Sequence, residues 1–254
     1  MARGSHVRAQ IENRVATLVL DRPPLNIMNI PMMQGIHEAI VDFAGKCDIL
    51  VFRGAGAKGF SAGADIADHT PDRVADMLEA FHAIFRELWR SPIVTVAAVH
   101  GVCLGGGCEL ATFCDFVVAA NGARFGQPEI KLGCFPPVAM VTFPRLIGMR
   151  AALDLVLSGR AITAAEAWQM GLVSRVVSDD EWDNGVAQLV QELCNLSPAV
   201  LGMTRRRLWS AEFDFEGALD AIEDFYLHGL MKTHDAKEGI RAFLEKREPS
   251  WQGQ

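Results

Sequence analysis

The residues best suited to chemistry lie between positions 93 and 135, in the stretch IVTVAAVHGVCLGGGCELATFCDFVVAANGARFGQPEIKLGCF. A β-branched apolar run at 93–99 reads as a buried strand. Gly105, Gly106 and Gly107 break the pattern after it, and Cys108-Glu109-Leu110-Ala111 open a helix. Glycines between a strand and a helix let bare backbone approach a ligand, with the new helix's free N–H groups aimed at it. Glu109 falls in the first turn of that helix, where the dipole favours a carboxylate. A second apolar run at 116–120 leads through Ala123-Arg124-Phe125 to Gly126-Gln127-Pro128-Glu129. Two glutamates therefore follow two strand-like runs, beside a loop suited to holding an oxyanion. That pattern marks a site and not only a core.

Holding these groups in place requires a layered frame. Residues 7–11 and 15–20 read as a hairpin turned at Glu12-Asn13-Arg14 and ended by Arg22-Pro23-Pro24. Ile30, Met33, Ile36, Ile40 and Phe43 recur near helical spacing and predict an amphipathic helix over 30–43. A third strand-like run covers 48–54, and a flexible loop at 54–59 leads to Phe60-Ser61-Ala62-Gly63-Ala64-Asp65. A helix over 72–89 then runs into the strand at 93. Strand–helix alternation through the first two-thirds predicts α/β layering. From Ala151 onward the pattern is helical. Thr163-Ala164-Ala165-Glu166 reads as a capping box, and Met170-Gly171-Leu172 closes that helix. Further helices are predicted over 179–196, 197–209, 214–231 and 235–247, with no internal repeat or low-complexity linker.

With 254 residues, 50% of them hydrophobic, the chain can bury a large core as one big domain or a domain plus appendage. A net charge of −7 argues against nucleic acid or an anionic membrane as the main partner. The six cysteines lie mostly inside apolar runs with no close CxxC pair, and they read as buried free thiols in a reducing cytoplasm. No apolar run reaches the ~18 residues needed to span a membrane, and the start lacks the apolar core of a signal peptide. The opening MARGSH carries no argument.

Five segments carry a resemblance: GFSAGADI, AAVHGVCLGGGCELATFCDFVVAA, FGQPEIKLG, LSGRAITAAEAWQMGLVSRVV and EGIRAFLEKR. In kind and order they are similar to the enoyl-CoA hydratase (crotonase) superfamily, and they span nearly the whole chain. The resemblance implies a spiral of ββα units over residues 1–195. It also implies a C-terminal helical region over 196–254 that packs on the core and on neighbouring subunits, as a homotrimer or as a hexamer of paired trimers. The implied substrate is a coenzyme A thioester, coenzyme A being part of the substrate, with no metal or other cofactor.

Carried over by position, the implied oxyanion-hole N–H groups are those of Ala62, in SAGAD, and Gly106. Chemistry beside a thioester carbonyl passes through an enolate, and preorganised donors on its oxygen contribute roughly 3–4 kcal/mol each. Glu109 and Glu129 match the family's hydratase pair. Adding water to an activated alkene needs a base for water and an acid for carbon, and two carboxyls can share those roles, either in either. Closeness to each other and to an apolar pocket predicts that their pKa values split. Ala64, Asp65, Ile66, Phe135, Pro137, Phe243 and Lys246 are further implied substrate contacts. Of these, Phe243 and Lys246 match positions that reach a neighbouring subunit's coenzyme A, or read simply as part of an amphipathic terminal helix, and Asp65 also reads as a loop-positioning residue. Pro24 occupies a substrate-facing position where a coenzyme-A-contacting lysine is often found, which leaves that phosphate contact open. His100 reads as a core histidine, and Arg205-Arg206-Arg207 as a solvated helix face.

Linear enoyl-CoA hydratases usually follow GQPEI with a glycine-rich segment, whereas this chain continues Leu132-Gly133-Cys134-Phe135-Pro136-Pro137-Val138-Ala139-Met140. Two prolines stiffen the turn, and Phe135 and Met140 add apolar bulk, which reshapes the acyl pocket. Together with His69-Thr70-Pro71-Asp72 and the terminal YLHGLMKTHDAKEGIRAFLEKREPSW, this resembles the branch that hydrates cyclohexa-1,5-diene-1-carbonyl-CoA in anaerobic benzoyl-CoA degradation. The branch implies 1,4-addition: hydroxyl to the β-carbon and proton to the far diene terminus, giving 6-hydroxycyclohex-1-ene-1-carbonyl-CoA. The residues leave open a general 2-enoyl-CoA hydratase, an enoyl-CoA isomerase, and a thioester- or RNA-binding relative with little catalysis.

Overall fold

The computed structural model describes residues 6–210 and 213–254; the first five residues of MARGSH lie outside that description. Strands β1 (Val7–Glu12) and β2 (Val15–Leu20) form an antiparallel hairpin, turned by Asn13 and Arg14 at positive φ. Helix α1 (Ile30–Phe43) starts where Asn29 Oδ1 accepts from the Met32 N–H at 3.2 Å, and it buries Met33, Ile36, Ile40 and Phe43 as the spacing predicts.

From there the chain repeats one unit of long strand, short strand and helix. The first is β3 (Ile49–Gly54), β4 (Gly59–Ser61) and α2 (Val74–Arg90); the second is β5 (Val94–Val99), β6 (Val102–Leu104) and α3 (Gly106–Phe113). The third is β7 (Phe116–Ala120), β8 (Arg124–Gly126) and α4 (Pro137–Leu146). Helix α5 (Gly148–Ser158), β9 (Ala161–Thr163), α6 (Ala164–Met170), β10 (Arg175–Val177) and α7 (Trp182–Cys194) complete the spiral. The longer strands, with the three-residue β10 at one edge, make a six-stranded sheet in the order β1-β2-β3-β5-β7-β10, parallel from β2 onward. The short strands stack into a second sheet, β4-β6-β8-β9, which the sequence reading did not contain. Three-residue strands are too short to show an alternating pattern.

Parallel strands buried on both faces read as continuous apolar runs, and β5 is buried at all six positions. Val94, Val96 and Ala98 face α7 together with Ile49, Val51 and Val118, while Ala97 and Val99 join Leu50 and Phe52 in the main core. At the α6 start, Thr163 Oγ1 accepts from the Glu166 N–H at 3.1 Å and Glu166 Oε2 accepts from the Thr163 N–H at 2.8 Å, completing the expected capping box.

The C-terminal helices α8 (Pro198–Ser210), α9 (Phe215–His228) and α10 (His234–Leu244) pack back onto the spiral. Phe215, Leu219, Tyr226 and Ile240 belong to the same core as the sheet residues. Helix α9 lies against α2 and α4, and α10 lies against a 3-10 turn at Pro128–Leu132.

Three expectations change. Arg205 is buried, not solvated: its Nε donates to Asp115 Oδ2 at 2.6 Å and its Nη1 to the Ser91 carbonyl at 2.7 Å, while Arg206 and Arg207 are exposed. Met140 faces outward, so its bulk does not shape a pocket. Cys194 is exposed, although the other five cysteines are buried and all six are free. Among the described residues no helix is long and apolar enough to cross a membrane.

Candidate active site

A cavity of about 610 Å³ opens between the 60–69 loop, α2, the α3 start, the 128–137 segment, α9 and α10. It gathers Ala62, Ala64, Asp65, Ile66, Gly106, Glu109, Glu129, Phe135, Pro137 and Phe243. Pro24 and Lys246 are not part of its wall. Pro24 is exposed beside the cavity-lining Leu25, and Lys246 lies beyond the end of α10 with φ 55°.

The strand-to-helix turn shows why glycines stand at 105 and 106. A Cβ built on Gly105, whose φ is 52°, would sit 2.6 Å from Glu129 Oε1. A Cβ on Gly106 would sit 2.9 Å from Phe81 Cζ and 3.4 Å from Ala64 N, so the α3 start and the SAGAD loop run side by side.

This geometry corrects the choice of Ala62. The Ala62 N–H donates to the Leu25 carbonyl at 2.9 Å and is spent on holding the loop. Met28 donates to the Gly63 carbonyl and Asp65 donates to the Met28 carbonyl, both at 2.8 Å, which leaves the intervening Ala64 N–H out of the pairing. Among the described residues neither the Ala64 nor the Gly106 N–H has an acceptor. The adjacent unspent donors are therefore Ala64 and Gly106, and Gly106 owes its freedom to its place at the helix start.

Glu109 is almost fully buried, and Oε1 accepts from the Ala139 N–H at the start of α4, at 2.9 Å. Burial pushes its pKa up to about 7, against the opposing pull of the Ala139 and Val138 N–H groups. Glu129, half-buried in the 3-10 turn, is raised well above the usual carboxylate range by burial first and by the Glu109 charge second. No cation pairs with either carboxyl among the described residues. Gln127 is fully buried beside them, and with its amide nitrogen turned toward the site it donates to Glu129 at 3.2 and 3.3 Å and to the Gly105 carbonyl at 3.3 Å.

Asp65 holds the loop, as its position suggested. One oxygen accepts from the Ala67 N–H at 3.2 Å and the other from Arg22 Nη1 at 3.0 Å. His100 lies outside the cavity, with Nε2 2.8 Å from the Gly56 carbonyl. The acyl side of the cavity has walls that the sequence reading missed: Met77, Leu78 and Phe81 from α2, and Tyr226 and Ile240 from the C-terminal helices. The α2 stripe carries a signal, because Leu78 and Phe81 share one face, but core and pocket use the same residue types. Phe135 ties the two sides together, edge-on to Tyr226 at 5.0 Å and stacked on Phe225 at 6.0 Å. Among the described residues no group of three or more His, Cys, Asp or Glu side chains is arranged to hold a metal ion.

Comparison with known proteins agrees with this architecture. The profile of the family "Enoyl-CoA hydratase/isomerase" matches residues 10–254. The cyclohexa-1,5-dienecarbonyl-CoA hydratase of Thauera aromatica is 37% identical over 240 residues, 92% of each chain. A probable enoyl-CoA hydratase of Mycobacterium bovis is 38% identical over 248 residues, 94% of this chain and 95% of that one. The crystal structure of an enoyl-CoA hydratase from Mycobacterium avium subsp. paratuberculosis superposes with a TM-score of 0.88 at 26% identity, covering 97% of this chain and 98% of that one. Repeated ββα units, a matching profile along nearly the full length and these relatives together place the chain in the enoyl-CoA hydratase/isomerase family, the crotonase superfamily.

Proposed function

We propose that the cavity adds water to a conjugated cyclic dienoyl-CoA thioester, converting cyclohexa-1,5-diene-1-carbonyl-CoA to 6-hydroxycyclohex-1-ene-1-carbonyl-CoA. Family membership makes the chain a hydro-lyase of the enoyl-CoA hydratase type. The observation that carries the reading is the pair of carboxyls, Glu109 and Glu129, without a counter-cation beside two unspent N–H groups in an apolar cavity. A flat ring suits the stiff wall of Phe135 and Pro137, and the Thauera aromatica relative is named for that substrate. The second reading, a hydratase of linear 2-enoyl thioesters, draws on the name of the Mycobacterium bovis relative.

In this mechanism the Ala64 and Gly106 N–H groups polarise the thioester oxygen and take up the charge of the dienolate. Two coupled buried carboxyls resist carrying two charges at once and so share a proton. The Ala139 N–H donated to Glu109 Oε1 favours the ionised form there, and Glu129 takes the proton in this scheme. Ionised Glu109 takes a proton from water as the hydroxyl bonds to the β-carbon. Glu129 gives its proton to the far diene terminus, and proton exchange restores the pair. Coenzyme A enters and leaves as part of the thioester, with no other cofactor.

The exposed apolar faces of α5 (Met149, Leu153, Leu157) and α8 (Val200, Met203, Leu208) support a trimer, or a hexamer of trimers. In that assembly Lys246, outside the wall of this chain's own cavity, faces a neighbouring subunit's coenzyme A, whereas Phe243 lines its own cavity. Free thiols and the net charge of −7 suit a cytoplasmic enzyme without nucleic-acid partners. The test is a matched assay on cyclohexa-1,5-diene-1-carbonyl-CoA and crotonyl-CoA, read by product mass. A gain of one water on the cyclic thioester alone supports the proposal. Hydration of crotonyl-CoA alone replaces it with the linear reading, and a shifted double bond without added mass indicates an isomerase.

A further inference from the structure

His69 lines the cavity and plays no part in the mechanism above. It ends the 3-10 turn Ile66–His69 and is 8% exposed. Its Nδ1 lies 3.0 Å from the Asp65 carbonyl. A carbonyl only accepts, so Nδ1 carries the proton, and in the neutral ring Nε2 is then an acceptor with a free lone pair. Nε2 has no hydrogen-bond partner among the described residues, and His69 is one of the residues lining the cavity. Burial lowers the ring's pKa and favours this neutral form, against smaller raising effects from Asp65 and Asp68.

Among the described residues no donor is hydrogen-bonded to that lone pair, although Lys131 and Tyr226 line the same cavity. Asp65 and Asp68 are acceptors engaged elsewhere: Asp65 with Arg22 and the Ala67 N–H, Asp68 with Arg73 and the Ile30 N–H. The cavity walls offered by α2 and α10 are Met77, Leu78, Phe81, Ile240, Phe243 and Leu244. An acceptor without a partner in an apolar chamber is poorly satisfied until a ligand brings it a donor.

We infer that His69 Nε2 accepts a hydrogen bond from the hydroxyl group of the bound acyl thioester, making His69 a substrate-contacting specificity residue that favours hydroxylated acyl groups over deoxy ones. The inference rests on the thioester reading given above. It concerns binding only and leaves bond-making to the glutamates.

The two nitrogens can be separated by substitution. His69→Asn keeps a donor for the Asp65 carbonyl but removes the Nε2 acceptor. His69→Gln places an amide oxygen near the Nε2 position. Affinities would be measured by calorimetry for two matched pairs, 6-hydroxycyclohex-1-ene-1-carbonyl-CoA against cyclohex-1-ene-1-carbonyl-CoA, and 3-hydroxybutanoyl-CoA against butanoyl-CoA. The unaltered protein should prefer the hydroxylated member of at least one pair by about tenfold, the scale of one net hydrogen bond. His69→Asn should erase that preference without weakening the deoxy ligand, and His69→Gln should restore part of it. Acidification that protonates the ring should erase it in the unaltered protein and not in His69→Gln. Equal affinities within both pairs, or a preference that survives His69→Asn, would overturn the inference while leaving the thioester reading intact. Failure of all four thioesters to bind would overturn the thioester reading itself, and this inference with it.

Discussion

Glu109 lies in the first turn of α3 and Asp115 two residues past its end, and both are held largely away from water. Asp115 is surrounded by donors. Thr95 N and Oγ1 reach its Oδ2 at 2.7 and 2.8 Å, Arg205 Nε reaches the same oxygen at 2.6 Å, and Trp209 Nε1 reaches Oδ1 at 2.7 Å. Glu109 has backbone N–H groups and no cation, and burial drives its pKa up to about 7. A carboxylate fully matched by donors and a guanidinium is fixed in place and joins distant segments. One left undercompensated can gain or lose a proton near neutrality. A chemical carboxylate in the first turn of one short helix and a structural one just past its end are thus distinguished by what surrounds them.

The largest expected effect breaks the chemical end. Glu109→Gln and Glu129→Gln should each lower turnover by about 10²–10⁴-fold with thioester affinity nearly unchanged. Stopped-flow turnover and calorimetry measure the two quantities, and near-normal turnover in either variant removes that residue from the mechanism.

Breaking the structural end should act on stability instead. Asp115→Asn leaves the Arg205 guanidinium buried and unpaired, and urea unfolding should show a loss of about 3–5 kcal/mol. The double variant Asp115→Asn with Arg205→Met should recover much of it, since no stranded charge remains. Equal losses in the single and double variants would mean the pair acts through shape alone.

A pH series sharpens the contrast. Because the folded-state pKa of Glu109 is raised from its ordinary 4.5 to about 7, its contribution to stability is whole below the ordinary value and is lost as pH rises through about 7. Between about pH 5 and pH 9 the unaltered protein should therefore lose about 3 kcal/mol more than Glu109→Gln. Parallel stability curves would contradict the burial account of Glu109.

The smallest predicted effect concerns the wall. Phe135→Ala should shift the ratio of kcat/KM between cyclic and linear thioesters by about tenfold toward the linear one, since one apolar contact discriminates only to that degree. An unchanged ratio would remove Phe135 from substrate selection.

Much of this was legible in the sequence because it is local. The β-branched run before Gly105, the helix opening at Cys108 and the capping box at Thr163 each depend on neighbouring residues, and each lies where the pattern placed it. Long-range properties were harder to read. Whether the Ala62 or the Ala64 N–H is free depends on where the Leu25 carbonyl lands, and nothing inside SAGAD reveals that. Arg205 looked solvated beside Arg206 and Arg207 because Asp115, its partner, lies far away in the chain. His69 and Tyr226 stood in segments that carried the resemblance, but nothing in those segments showed that their side chains line the cavity. Their placement in the cavity comes from α9 packing on α2 and α4 and from a turn at the end of the SAGAD loop.

The parallel sheet that supports the site also governs how the molecule must form. Beyond the hairpin no neighbouring strands are local: Val15 pairs with Ile49, Ile49 with Val94, Val96 with Phe116, and Val118 with Arg175. Every such pairing closes a long loop, with the entropy lost before the ladder compensates for it. Refolding on a timescale of milliseconds or slower is the consequence, with apolar strands passing through states in which their edges are open. The cavity is complete only where α10, from the end of the chain, meets the Pro128–Leu132 turn, so its wall too depends on a long-range contact.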